Sequence, residues 1–578
     1  MIKLLRFLKP FKIHLAASFI LVVIRALAEL YLPSLSADMV NIGIINGDIG
    51  YIKLIGLRML LITATGICAF ILAGYLSSRA AAGLARHLRQ EVFAHVESFS
   101  LREFDRFGTA SLVNRTTNDI THLQNFVIFA LRMMVMAPIL TVGCLILAYV
   151  RDAMLTLILV AVTPILFAAI KLIIGKGLPL FRTLQSRLDR LNLIVREGLM
   201  GVRVIRAFNR DAYENKRFKE ANFEYASLGL RVNRIMGAMT PLITLIMNLT
   251  IIAIVWFGGI RIDNGLVNVG DLLALIQYAM QVMFSFIAIS RIFLIIPRAT
   301  ASAWRINEIF DTIPEIKDPP QQGREQPIGN LEGYIEFRNV TFSYPEAENP
   351  VLRNISFRAV PGETTAIIGS TGSGKSTLVH LMLRLYDVSS GSITVDGVDI
   401  RQLPLQTLRR IIGFVPQRTL LFSGTVRDNI CYGREDASEK DIVRAARVAQ
   451  IAGFVAEMDN GYDSAIAQEG KNVSGGQKQR LAIARALLKK VPIYIFDDSF
   501  SALDYATEAR LRTALLREMA DSAIFIISQR ASTVRNADRI IVLDEGRIAG
   551  MGNHAELMSA CHVYREIVAS QQAGGETA

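Results

Sequence analysis

The most chemically pointed stretch of the sequence is Gly369-Ser370-Thr371-Gly372-Ser373-Gly374-Lys375-Ser376-Thr377. Glycines at this spacing let backbone N–H groups turn toward one anion, and a helix N-terminus behind them adds favourable partial charge. In the pattern G-x-x-x-x-G-K-[ST] the lysine reaches the β- and γ-phosphates of a nucleotide and the following hydroxyl is a ligand for Mg²⁺. Lys375 and Ser376 stand at those places. Further on, residues 492–498 are apolar until they end in Asp497 and Asp498. A strand that ends in an acid downstream of a phosphate loop supplies the carboxylate that holds the metal, and Asp497 is the candidate.

Such a loop works only if a strand runs into it and a helix leaves it. Residues 364–368 are an apolar, β-branched run, and 378–385 carry a helical pattern. From about residue 331 onward, short β-branched stretches alternate with amphipathic helical patterns and Gly-rich turns, as in an α/β domain. Before about residue 300 the character is different. Six apolar runs of spanning length lie near 13–32, 54–77, 126–150, 153–174, 241–260 and 272–297. Only Arg151 and Asp152 separate the third run from the fourth, which predicts a tight hairpin. The connections 79–125 and 175–240 have few breakers and predict helices that continue well beyond a bilayer. Residues 314–330, with Pro319, Pro320, Gly323 and Pro327, read as a linker. The expected organisation is therefore an α-helical polytopic membrane domain (1–313), a linker (314–330) and an α/β nucleotide-binding domain with a phosphate loop (331–578).

Composition agrees. Of 578 residues, 52% are hydrophobic and 20% charged, and the mean hydropathy is +0.36. That apolar content excludes a disordered chain, and four cysteines are too few for a disulfide scaffold. Cys68, Cys144, Cys431 and Cys561 have no metal-binding spacing and read as reduced structural residues. The net charge of +12 sits mostly in the N-terminal segment (Lys3, Arg6, Lys9, Lys12) and the two long connections. The positive-inside rule then places the N-terminus, both connections and the C-terminal domain in the cytoplasm, so the basic excess needs no nucleic acid to explain it. Basic residues before an apolar run also suit a signal peptide. The run here is longer and carries Arg25 and Glu29, so a retained first span is expected.

Asn472-Val473-Ser474-Gly475-Gly476-Gln477-Lys478-Gln479-Arg480 resembles the signature motif of ATP-binding cassette (ABC) proteins, and it lies between the two nucleotide motifs as in that family. Gln417 in Phe414-Val415-Pro416-Gln417 resembles the Q-loop, Ser501-Ala502-Leu503-Asp504 the D-loop, and Tyr344 the aromatic that stacks on adenine. With six spans ahead of these motifs, the chain resembles an ABC exporter half-transporter over nearly its whole length. The resemblance implies ATP and Mg²⁺ as cofactors, with Gln417 sharing the metal with Ser376 and Asp497. It also implies a second half-transporter chain as partner, with ATP sandwiched between the phosphate loop of one chain and the signature of the other. The implied ATP contacts in this sequence are Tyr344, Gly369 to Thr377, Ser474, Gly475, Gly476, Gln477 and Asp504. Segments near 107–117 and 195–208 resemble the helices that couple spans to cassettes; read without the family, they are cytoplasmic helices with solvated faces.

Two positions depart from the family pattern. Active members carry Glu after the metal-binding acid; here it is Asp498. The switch position after the next strand is normally His; here it is Gln529. The shorter side chain sets its carboxylate on the order of 1.5 Å further back, a misplacement able to cost about 10²-fold or more in rate. Gln529 can hydrogen-bond a phosphate but cannot become cationic. The combination resembles the degenerate-site subunit of heterodimeric bacterial multidrug exporters. A homodimer with slow turnover is the alternative.

Ionisable groups within spans cost free energy and mark a cavity or a partner. Arg25 and Glu29 stand i,i+4 on the first span, a spacing that lets them pair. Gln277, Gln281 and Ser285 form a stripe on the sixth that is placed, with Arg25 and Glu29, toward a translocation pathway; helix–helix glue is the alternative. Met133, Met134, Met136, Met247, Met280 and Met283 offer a soft surface for apolar ligands, or ordinary packing. These features suit export of a lipophilic or amphipathic small molecule. Lipid flipping and peptide export remain open alternatives, although with spans beginning near Ile13 no peptidase region is expected ahead of them.

Overall fold

The computed structural model describes residues 2–319, 331–345 and 347–573; residues 320–330 of the expected linker lie outside them. The chain divides into two compact units, Met1–Glu97 with Thr109–Ile313, and Ser98–Gly108 with Pro314–Ala578.

The first unit is built on six long helices: α1 (Lys3–Ile44), α2 (Ile49–Glu97), α4 (Thr109–Arg151), α5 (Ala153–Met200), α7 (Asp211–Asp263) and α8 (Val269–Asp311). Each holds a stretch long and apolar enough to cross a membrane, and the helices run to 42–53 residues, well beyond the apolar runs themselves. Outward-facing side chains are apolar: Leu60, Leu72, Tyr149 and Trp256 are all more than half exposed. Water would penalise that surface, whereas hydrocarbon accommodates it. Two short helices interrupt the series, α3 (Leu101–Phe107) and α6 (Val202–Ala207).

The hairpin between α4 and α5 turns at Asp152, whose carboxylate accepts the Leu155 N–H at 2.7 Å and so satisfies a donor at the start of α5. That end of the bundle is tied by charge. Arg151 bridges Asp38 and Asp271, both at 3.0 Å, while Arg261 reaches Asp152 at 2.7 Å. Toward the other ends of α4 and α8, the buried Asp119 accepts from Ser302 at 2.8 Å and Arg305 Nε at 2.7 Å.

The segment 107–117, expected to couple, joins the end of one helix to the start of the next. Helix α3 stops at Phe107, Gly108 takes φ +73°, and Thr109 already begins α4. The boundary has a local cause. Glu103 accepts from the Ser100 N–H at 2.7 Å, the reciprocal half of a capping box, and glycine releases the chain at the other end. In the second segment, α6 lies between Gly201 and Asn209, the latter at φ +51°.

Among the described residues the second unit holds three sheets, the smallest a two-stranded pair of β7 (Gly424–Thr425) and β8 (Ala465–Ile466). One, in the order β2-β1-β4-β5, pairs antiparallel: β1 (Ile335–Phe342), β2 (Leu352–Ala359), β4 (Ser390–Val395) and β5 (Val398–Asp399). The third runs β12-β11-β3-β10-β9-β6 and is parallel except for the edge strand β12: β3 (Thr364–Gly369), β6 (Ile412–Val415), β9 (Ile493–Asp497), β10 (Ala523–Ile527), β11 (Arg539–Asp544) and β12 (Arg547–Gly552). Every residue of β3, β9 and β10 is buried, as expected of parallel strands covered on both faces. Register aligns Ile527 with Ile367 on one side and Asp497 on the other. The carboxyl ends of three neighbouring strands therefore finish on one edge, where open α/β sheets bind ligands.

Candidate functional site

That edge carries a cavity of about 360 Å³. The phosphate loop forms one wall. It leaves β3 at Gly369 and enters helix α9 (Lys375–Met382) directly at the lysine. Glycine is required at both ends of this turn. A Cβ on Gly369 would fall 2.2 Å from the Leu543 carbonyl oxygen. Gly374 has φ +99°, and a Cβ there would meet Leu352 at 2.6 Å. Lys375 Nζ donates to the Gly369 and Ser370 carbonyls at 2.9 and 2.7 Å, so the ammonium staples the loop on which a phosphate would rest. Burial lowers its pKa, opposed by Asp497 and Asp498.

The opposite wall comes from β9 and β10. Burial pushes the Asp497 carboxyl up to about 6, and the neighbouring Asp498 carboxylate adds to the shift; Lys375 and the Ser376 hydroxyl act against it. Asp498 sits at φ +45°, a conformation short polar residues tolerate better than most, and its N–H donates to the Ile527 carbonyl at 2.9 Å. Gln417 Nε2 donates to Asp498 Oδ2 at 3.4 Å. Gln529 Oε1 accepts from the Thr371 hydroxyl at 3.4 Å. Tyr344 follows β1, and its hydroxyl shares a 3.0 Å hydrogen bond with Thr377 Oγ1.

The fold thus gathers Tyr344, Thr371, Gly372, Gly374, Lys375, Ser376, Thr377, Gln417, Asp497, Asp498 and Gln529 around one cavity. The lining also includes Val351, Ile527 and Ser528, which motif reasoning missed. Ser528 had a signal, being the residue before Gln529. Val351 had none, because only strand pairing carries the β1–β2 connection to the loop. A hydroxyl, a desolvated carboxylate and an amide oxygen at Ser376, Asp497 and Gln417 are hard donors of the kind a small divalent cation takes.

The signature residues are elsewhere. Ser474 caps helix α10 (Gly475–Leu488): its Oγ accepts the Gln477 N–H at 3.3 Å, while Gln477 Oε1 accepts the Ser474 N–H at 2.7 Å. Neither they nor Gly475 and Gly476 line the cavity. Asp504 likewise lies outside it and caps α11 (Tyr505–Glu518) by accepting from Thr507 N–H at 2.9 Å. The two motifs are joined: Gln479 on α10 donates to Ser501 at 3.4 Å and accepts from Ala502 N–H at 3.2 Å.

In the first unit, Arg25 and Glu29 form an ion pair at 3.2 Å. Two residues of the sixth-span stripe, Gln277 and Gln281, are engaged between helices, and Ser285 bonds within its own helix. Gln281 donates to the Glu29 carbonyl at 2.9 Å and accepts from Cys144 at 3.0 Å, Gln277 reaches Ser36 at 3.4 Å, and the buried Ser285 donates to the Gln281 carbonyl at 2.9 Å.

A phosphate-loop cassette in one chain with six apolar helices defines a membrane transporter driven by nucleotide. Residues 15–286 match the ABC transporter transmembrane region and 352–501 match the ABC transporter family. The chain is 42% identical to an ABC transporter ATP-binding protein of Mycobacterium tuberculosis, covering 98% of this chain and 97% of that one. It is 34% identical to an ATP-dependent lipid A-core flippase of Syntrophus aciditrophicus, over 88% and 84% of the two chains. The solved structure of a bacterial Atm1-family ABC exporter with ATP bound superposes with a TM-score of 0.81 at 26% identity, over 97% and 98% of the chains. The protein belongs to the ABC transporter family, with the exporter arrangement of a membrane region fused ahead of an ATP-binding cassette.

Proposed function

We propose that this chain is one half of an ATP-driven exporter of a lipophilic or amphipathic small molecule across the cytoplasmic membrane. Its partner is a different half-transporter, and its own phosphate loop retains ATP but hydrolyses it slowly. One observation carries this reading: the binding elements are complete while the two groups beside them that act on water and the γ-phosphate are Asp498 and Gln529. Lys375 is desolvated and already held over the loop, so it exchanges carbonyls for phosphate oxygens with little rearrangement. Mg²⁺, held by Ser376, Asp497 and Gln417, would neutralise charge on the phosphate oxygens. Asp498 holds a carboxylate against Gln417 but carries it on the shorter side chain. Gln529 offers amide hydrogen bonds and no proton. ATP binding in such a site closes two cassettes and stores that closure, whereas hydrolysis falls to the second site, which the capped, unaltered signature at Ser474 completes on the partner.

The similarity to a lipid A-core flippase favours amphipathic cargo over peptides. The pairing is tested by asymmetry in the reconstituted two-chain transporter. Ser474→Arg is expected to abolish transport-coupled ATPase activity, whereas Asp498→Asn lowers it only modestly. Equal loss from the two substitutions overturns the assignment.

A further inference from the structure

The loop that carries Gln529 is held from outside by a residue that belongs to no nucleotide motif. Strand β10 ends at Ile527, and Ile527, Ser528 and Gln529 all line the nucleotide cavity. The Ser528 N–H stays with the sheet and donates to the Ile367 carbonyl at 3.1 Å. Beyond it the chain turns into the short helix Ala531–Val534. The Gln529 carbonyl and the Ala531 N–H have left the strand ladder at this turn, and backbone polar groups that leave a ladder need other partners. Both find them on one side chain. Gln571 Nε2 donates to the Gln529 carbonyl at 2.7 Å, and Gln571 Oε1 accepts from the Ala531 N–H at 2.7 Å.

Gln571 belongs to the C-terminal helix α12 (His562–Ala573). Tyr564, Val568 and Gln571 stand at i, i+4 and i+7, on one helical face. Tyr564 and Val568 are buried in a cluster with Val534, Ile540 and Val542, and the Tyr564 hydroxyl shares a 2.8 Å hydrogen bond with His554 Nδ1. These contacts set the rotation of α12, and its next turn brings Gln571 to the loop. Gln571 is itself exposed. Ordering an exposed glutamine costs side-chain entropy, and here two hydrogen bonds offset it. A side-chain amide donates and accepts at once, so it matches a carbonyl and an N–H two residues apart, which neither an ionised carboxylate nor an ammonium can do. The far side of the loop is tied to the phosphate loop, where the Thr371 hydroxyl donates to Gln529 Oε1 at 3.4 Å.

We propose that Gln571 is a positioning residue of the nucleotide site: by clasping the backbone at Gln529 and Ala531 it sets how far the Gln529 side chain reaches toward the terminal phosphate. The inference rests on the reading above that Gln529 acts on the γ-phosphate, and it adds the C-terminal helix to that site.

The test compares Mg-ATP and Mg-ADP binding to the full chain in phosphatidylcholine nanodiscs, with amide exchange followed across 528–531. Gln571→Met keeps the length and helix preference of the side chain and removes both bonds. It should weaken ATP about threefold to tenfold, the scale of a lost hydrogen bond, and leave ADP unchanged. Exchange across 528–531 should accelerate while β10 keeps its protection. In a Gln529→Ala chain the same substitution should cost ATP nothing further, because the two residues act as one unit. Equal weakening of ATP and ADP, unaltered exchange, or a Gln571→Met chain that binds ATP like the wild type while Gln529→Ala binds it less tightly overturns the proposal. The γ-phosphate reading fails separately: if Gln571→Met accelerates exchange but Gln529→Ala binds ATP as the wild type does, the clasp stands and that role of Gln529 falls.

Discussion

Two cationic places in this chain, one buried and one half-buried, are satisfied by different means. Lys375 is answered by the Gly369 and Ser370 carbonyls and the Ser373 hydroxyl, all within six residues of chain on its own loop. Arg132 is answered by an aromatic ring from another helix, and Arg25 by one carboxylate and the same ring. A cradle made from contiguous residues is complete before any ligand arrives and shows itself as a motif. A cluster assembled from three helices draws its groups from distant parts of the chain, and no short pattern announces it.

The largest expected effect lies on the complete side. Lys375→Ala removes the cation that staples the loop and would meet the phosphates. Nucleotide affinity of the purified chain should fall on the order of a hundredfold, as for loss of a charge-assisted contact in a desolvated place. Retention of labelled nucleotide on the chain reads it directly. An unchanged affinity would mean that the backbone cradle suffices and that the lysine is only a structural staple.

A gain of function probes the same wall. Asp498→Glu with Gln529→His restores the longer carboxylate and a group able to carry a proton. Single-turnover hydrolysis by this chain's own site, measured with the partner's site disabled, should rise about tenfold to a hundredfold. The Asp498 backbone at φ +45° disfavours a longer side chain by only a fraction of that gain. No rise would place the slow step in closure of the cassettes.

Smaller again is the response to pH. The Asp497 carboxyl, at about 6, titrates above its ordinary value of 3.8. The folded chain therefore binds this proton more tightly than the unfolded one, and the stabilisation it gives the metal-free fold is lost as pH rises through about 6. A cation needs the carboxylate and competes with the proton. Mg²⁺-dependent nucleotide binding should accordingly weaken below about pH 6, by up to about tenfold per unit. Asp497→Asn should remove both the metal dependence and the slope.

How much of this was legible follows the same division. Strands β3 and β9, the loop, the metal acid and the signature were readable because each is a local run of one periodicity with its turn residues in place. The hairpin at Arg151 and Asp152 was readable for the same reason. The ion pair of Arg25 with Glu29 was offered by i,i+4 spacing alone. Val351 beside the nucleotide cavity and Phe70 between two arginines were not readable, since strand register and helix packing bring them there. The boundary of α3 is an intermediate case. Ser100, Glu103 and Gly108 mark it locally, whereas the family resemblance points to 107–117 without fixing where one helix ends and the next begins.

The smallest effect is expected at that helix, which shares a compact unit with the cassette. The Tyr386 hydroxyl donates to Asp105 Oδ2 at 3.2 Å. Tyr386 is buried, and its ring packs edge-on to Tyr344, 5.3 Å between centroids, so its position is fixed by the nucleotide-binding side. Asp105 is exposed, so water can replace the lost donor in Tyr386→Phe. The cost should be only about 1 kcal/mol, the net worth of a single hydrogen bond. Global unfolding of a two-unit chain is a poor reporter of so local a change. Amide exchange across Leu101–Phe107 is the sharper one and should accelerate roughly fivefold while β3 and β9 keep their protection. Acceleration that spread into β3 would mean that the hydroxyl supports the cassette core, and no acceleration would mean that the capping box at Ser100 and Glu103 holds α3 unaided.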